Sequence, residues 1–103
     1  MDNSALKAHL GFAAKAGKLV SGTQGVEQAL RAGKVKLVLL SSAASENTCK
    51  RFSDMASWRH IPCARLEDHD ALGLWIGRET HRVAGITDNG FAEAVKKDLG
   101  VVE

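Results

Sequence analysis

Apolar residues recur along this chain with two different periods, and the switches between them mark out its elements. Leu6, Leu10, Ala13 and Ala14 fall at helical spacing and stop at Gly17, after which Lys18, Leu19 and Val20 predict a brief strand. Ser21, Gly22 and Thr23 give a second start signal, and Val26, Ala29, Leu30 and Gly33 resume the helical period, so a second helix opens at Gly22. From Val35 to Ser42 the chain is apolar almost without a break, which predicts a central strand covered on both faces. Ser45, Glu46 and Asn47 offer capping oxygens to a third helix, whose inward stripe is Cys49, Phe52, Met55 and Ala56 and which His60 and Pro62 stop. Cys63 to Leu66 reads as a short strand. Asp68 and Asp70 sit at the favourable end of a fourth helix carrying Leu72, Trp75 and Ile76, and Gly77 ends it. A loop from Arg78 to Arg82 leads into a last core strand, Val83 to Thr87. Asp88 or Asn89 then caps a fifth helix with Phe91, Ala94, Val95 and Leu99 on its inner face. Helices alternating with strands in this way predict an α/β fold, a three-layer α/β/α sandwich around a small mixed sheet of about four strands.

Composition narrows the function classes. With 45% hydrophobic and 25% charged residues, the 103 positions are expected to form one folded domain, 1–103, rather than a disordered chain. The net charge of +2 is too small to announce a nucleic-acid binder, but its distribution is uneven: residues 1–51 carry eight Lys and Arg against three acids, and 52–103 carry six against nine. Cys49 and Cys63 form neither a disulfide framework nor a zinc-knuckle spacing, which points to a reduced, cytoplasmic setting. The opening MDNSALK lacks the layout of a signal peptide, and the longest apolar run, Leu37 to Leu40, is far too short to span a bilayer, so no membrane role is expected.

Catalytic and cofactor motifs find little support. GTQG at 22–25 is neither a P-loop nor a dinucleotide fingerprint, and its glycines serve a tight turn into the helix. His60, Cys63 and His69 have no metal-ligand spacing. The cysteines read as small core residues, and Ser41 and Ser42 as turn residues. No enzyme activity, metal or organic cofactor is expected. Trp75 falls on an inward stripe, whereas Trp58 falls off one, and the pattern does not decide whether Trp58 is covered.

The basic and amide side chains are the stronger candidates. Lys15 and Lys18 precede the second helix, Gln24, Gln28 and Arg31 project from its polar side, and Arg78, His81 and Arg82 fill the loop before the last strand. A helix N-terminus at Gly22 offers unpaired N–H groups to an anion. Converging at one sheet edge, these segments would make a positive groove for a phosphate backbone and base edges; kept apart, each is a solvated charge. Spacing alone leaves the two readings level.

LGFAAKAGKLVSG, continued by GTQGVEQALRAGKVKLVLLSSAAS and later by IPCARLEDHDALGLWIGRE, resembles the superfamily of small ribosomal and kink-turn RNA-binding proteins that includes the archaeal L-seven-Ae and L-thirty-e proteins, and within it the bacterial YlxQ-like branch. The resemblance spans nearly the whole chain. It implies an α/β/α sandwich that binds structured RNA, including ribosomal RNA, at the start of the second helix and through the loop before the last strand. Gly22 matches the family's glycine. Gln24 stands where Asn is usual, Gly25 replaces Glu and Gln28 replaces Lys, so kink-turn specificity is expected to be relaxed. The site implied is Lys15, Lys18, Gly22, Gln24, Gln28, Arg31, Arg78, His81 and Arg82. The rival expectations are a protein-interaction module of the same fold, with a ribosomal or other protein partner, and, more weakly, an accessory domain of an RNA-modifying enzyme.

Overall fold

The computed structural model describes residues 4–66, 72–78 and 80–100. Asp68, His69 and Asp70 lie outside them, so the proposed acidic opening of the fourth helix has no structural counterpart to report. In chain order the elements are α1 (Ser4–Lys15), β1 (Leu19–Ser21), α2 (Thr23–Arg31), β2 (Leu37–Ser41), α3 (Glu46–Trp58), β3 (Cys63–Leu66), α4 (Leu72–Ile76), β4 (Val83–Ile86) and α5 (Asn89–Leu99). The four strands form one mixed sheet in the order β1-β4-β2-β3, with β4 antiparallel to both β1 and β2 and β3 parallel to β2.

Every residue of β2 is buried, as its unbroken apolar run requires of a strand covered on both faces. Strand alternation deals these residues to two separate cores. Leu37 and Leu39 face Leu6, Leu10, Leu72, Ile76 and Val95, so α1, α4 and α5 make one outer layer. Val38 and Leu40 face Val26, Leu30, Phe52 and Ala56, so α2 and α3 make the other. The expected three-layer sandwich is therefore present. β2 shares the middle of the sheet with β4, which is also buried throughout.

Local signals resolve in the same physical terms. Ser45 caps α3, its Oγ accepting from the Thr48 backbone N–H at 3.1 Å. Of the two candidates for α5, Asp88 is the cap, its Oδ2 accepting from the Phe91 N–H at 2.9 Å. On α5 the fully covered positions are Ala92 and Val95, with Phe91 and Leu99 packed at the margin and Ala94 only partly covered. Trp75 is likewise partly buried against the α1 layer, and Trp58 is 79% exposed. One expectation is corrected. Cys63 is an exposed residue, on β3, the end strand of the sheet. The residue still lines a hollow with Cys49 and Leu40, and burial of the thiol, with Cys49 adding to it, pushes its pKa up to about 11.

Candidate nucleic-acid interface

Strand direction decides which loops meet. Because β1 and β2 both run antiparallel to β4, their C-terminal ends and the start of β4 lie at one edge of the sheet, with Ser21 opposite Ala84 and Leu40 opposite Val83. The β1–α2 turn, the β2–α3 turn and the loop entering β4 therefore converge. Backbone hydrogen bonds tie them together: the Gly22 N–H donates to the Val83 carbonyl at 2.9 Å and the Ser41 N–H donates to the Arg82 carbonyl at 2.8 Å.

A hollow of about 470 Å³ opens where they meet, lined by Ser21 to Gly25, Ser45, Thr48, Thr80, His81 and Arg82. Two helix N-termini face this space, and they differ. α3 is closed by its serine cap, whereas the cap position of α2 is Gly22, which has no side chain to offer. The carbonyl of Gly22 accepts the first helical bond, from the Val26 N–H at 3.0 Å, which leaves the N–H groups of Thr23, Gln24 and Gly25 without intrahelical acceptors. Partial positive charge thus collects at an uncapped opening, the arrangement that suits an anion.

Gly22 is required there by conformation. Its φ of 85° and ψ of 152° lie in a region essentially restricted to glycine. A side chain would also crowd the imidazole, since a Cβ at this position would stand 3.2 Å from His81 Cε1 and 3.3 Å from Nε2. The imidazole therefore lies flat against the bare Cα, anchored on its other side by a 2.7 Å hydrogen bond between His81 Nδ1 and Ser21 Oγ.

The nine residues expected from sequence are distributed unevenly. Gly22, Gln24, His81 and Arg82 share the groove. Arg78 and His81 line an adjoining hollow of about 380 Å³ with Ser21 and Gly25. Gln28, one turn further along α2, is exposed and outside both. Lys18 precedes β1, whereas the groove lies beyond the strand's other end. Lys15 closes α1 and lines a different hollow with Phe12 and Trp75. Arg31, in the last turn of α2, pairs with Glu27 at 2.7 Å, and Arg51 of α3 holds the same carboxylate. The segments therefore converge only in part.

Ser45, Thr48 and Thr80 on the groove wall, and the Ser21–His81 contact, escape the sequence reading. A signal for the first existed: Ser45 follows β2 as Gly22 follows β1, so two strand-to-helix turns open at a common edge. Ser21 and His81 are sixty residues apart, and only the antiparallel register brings them together. Among the described residues no cluster of His, Cys, Asp or Glu could hold a metal, and no helix is long and apolar enough to cross a membrane.

Comparisons with known proteins identify the family and the fold. The model of the family described as "Ribosomal protein L7Ae/L30e/S12e/Gadd45 family" matches residues 4–96. The RNA-binding protein YlxQ of Bacillus subtilis (strain 168) is 41% identical over 83 residues, covering 81% of this chain and 83% of that protein. YlxQ of Enterococcus faecium is 38% identical over 88 residues, covering 85% and 84%. Among solved structures, a protein with unknown function from Bacillus halodurans C superposes with a TM-score of 0.86 at 32% identity, covering 96% of this chain and 99% of that one. The Giardia lamblia 15.5kD RNA binding protein superposes with a TM-score of 0.76 over 93% of this chain and 82% of its own, and at 17% identity this likeness is one of fold.

Proposed function

The chain belongs to the Ribosomal protein L7Ae/L30e/S12e/Gadd45 family, and from that premise we propose that it binds structured RNA, without catalysis, in the groove between the N-terminus of α2 and the loop entering β4. The observation that carries the reading is the uncapped α2 opening at Gly22, set directly beside His81 and Arg82. The N–H groups of Thr23, Gln24 and Gly25, which lack intrahelical acceptors, are offered to a nucleic-acid backbone, while the bare Cα of Gly22 lets His81 pack beside them. Arg82 and Arg78 supply charge for flanking phosphates, which fixes position but carries no sequence information. Base recognition falls to side chains that both donate and accept, Gln24 in the groove and Gln28 one turn beyond it, while the flat face of His81 offers a stacking surface. The two YlxQ relatives, named as RNA-binding proteins, support RNA as the ligand class.

Within that class the reading extends to cytoplasmic RNA of the ribosome or its assembly. Kink-turn selectivity is relaxed, because Gly25 has no carboxylate to accept from a guanine edge and Gln28 has no charge. Crosslinking the protein to RNA in cells and sequencing what is held tests this. Enrichment of folded ribosomal segments with internal loops is expected, and uniform recovery of unstructured messenger RNA would contradict it.

A further inference from the structure

The outer layer carries a second feature, separate from the groove and independent of the RNA reading. Phe12 and Trp58 are the exposed large hydrophobic residues among the described positions, and Phe12, on α1, is 59% exposed. Beside it lies a hollow of about 380 Å³ lined by Lys7, Ala8, Gly11, Phe12, Lys15 and Trp75. At Gly11 a Cβ would come within 3.8 Å of the Trp75 carbonyl oxygen, so α1 and α4 approach closely there. Lys7 and Lys15 lie before and after this apolar stretch of α1, with Ser4 lining the hollow beyond Lys7, and neither lysine makes an ion pair among the described residues.

We infer that this surface is a docking site for an acidic, apolar-anchored peptide segment of a protein partner. An apolar hollow between two cations is complementary to an apolar side chain between two anions. Eight residues of α-helix set Lys7 and Lys15 about 12 Å apart along the axis, and an extended peptide spans about 13 Å in four residues. The matching segment is therefore acid, any residue, apolar anchor, any residue, acid. Side chains alternate along an extended peptide, so positions two apart all point toward the same face and address both lysines and the hollow together.

The test uses the full chain and the acetylated, amidated peptide Gly-Glu-Gly-Leu-Gly-Glu-Gly, followed by amide and indole shifts in proton–nitrogen correlation spectra. Shifts are expected at Phe12, Gly11 and the Trp75 indole, with the acidic peptide preferred by about tenfold over the same peptide carrying lysines in place of the glutamates. The double variant Lys7→Glu, Lys15→Glu should reverse that preference, and Phe12→Ala, an exposed position whose loss leaves the core intact, should abolish the shifts. The inference is overturned if neither peptide shifts these signals, if the perturbations map elsewhere, or if the double variant keeps the original preference. Displacement of the peptide from Trp75 by a structured RNA would also overturn it, by assigning this surface to nucleic acid.

Discussion

Gly22→Ala should damage both stability and RNA binding, and the structure sets the scale. Two costs arise. A non-glycine residue at φ 85°, ψ 152° carries strain of about 1–3 kcal/mol. In addition, the new Cβ would lie 3.2 Å from His81 Cε1. The ring must give way, which loosens its 2.7 Å bond to Ser21, worth roughly 0.5–1.5 kcal/mol net. Together these predict a loss on the order of 2–4 kcal/mol, readable as a shifted urea midpoint with an unchanged slope. Gly33→Ala is the control, since Gly33 also has positive φ, 72°, but nothing within 4 Å of its Cβ position, so only strain of about 1–2 kcal/mol applies. Repeating Gly22→Ala in a His81→Ala background should recover the steric share, a coupling of about 1 kcal/mol. RNA affinity should fall for Gly22→Ala and hold for Gly33→Ala when both are measured well below their unfolding midpoints. If Gly22→Ala is as stable as the parent, or if its cost is unchanged when His81 is absent, the account of this turn is wrong.

Further expectations rest on separate observations. Arg78→Ala and Arg82→Ala should each flatten the slope of log affinity against log salt by about 0.7–1, as loss of one phosphate contact requires; an unchanged slope in filter-binding titrations at several salt concentrations removes the loop from the interface. Replacing Gln24, Gly25 and Gln28 by Asn, Glu and Lys should raise preference for a kink-turn over plain duplex, each added base contact being worth roughly 1–3 kcal/mol by analogy with bidentate readout in DNA; competition at fixed salt measures it, and no gain would place specificity elsewhere. His9 Nδ1 lies 2.5 Å from Asp98 Oδ2, joining α1 to α5, and a double-alanine cycle should return a coupling of about 0.5–1 kcal/mol, with additivity refuting the contact. Cys63, raised from 9.0 to about 11, should alkylate slowly at pH 8 and speed up as pH climbs toward 11. Because the unfolded chain releases that proton first, the same shift predicts falling stability between pH 9 and 11, and fast alkylation of Cys63 in the folded protein at pH 8 would contradict it.

Much of the fold is written in local pattern, and the candidate groove is legible where it depends on the same signals. Val35 to Ser42 announced a doubly covered strand because burial on both faces leaves no room for polar alternation, and β2 is buried at every position. Gly22 was visible as a turn glycine opening a helix. Cys63 misled because a short apolar strand reads alike at the middle and at the edge of a sheet, and edge position is a property of strand order. The same limit applied to the basic residues. Lys15 and Lys18 are close to Gly22 in sequence, but β1 intervenes and carries them toward its opposite end. Arg31 stands four residues after Glu27, a spacing that signals pairing. The hold of Arg51 on that same carboxylate needs α2 and α3 side by side. The orientation of β4, on which the whole groove depends, has no local signature.

The most direct test of RNA binding at the α2 opening is a chemical-shift map of the folded protein titrated with a kink-turn RNA. Perturbations are predicted to cluster at Ser21 to Gly25, at Ser45 and Thr48, and at Thr80 to Arg82, with Gly22 and His81 among the largest. Saturable binding whose shifts gather instead on α1 around Phe12, or on α3 around Trp58, with the Gly22 and His81 signals unmoved, would contradict the account.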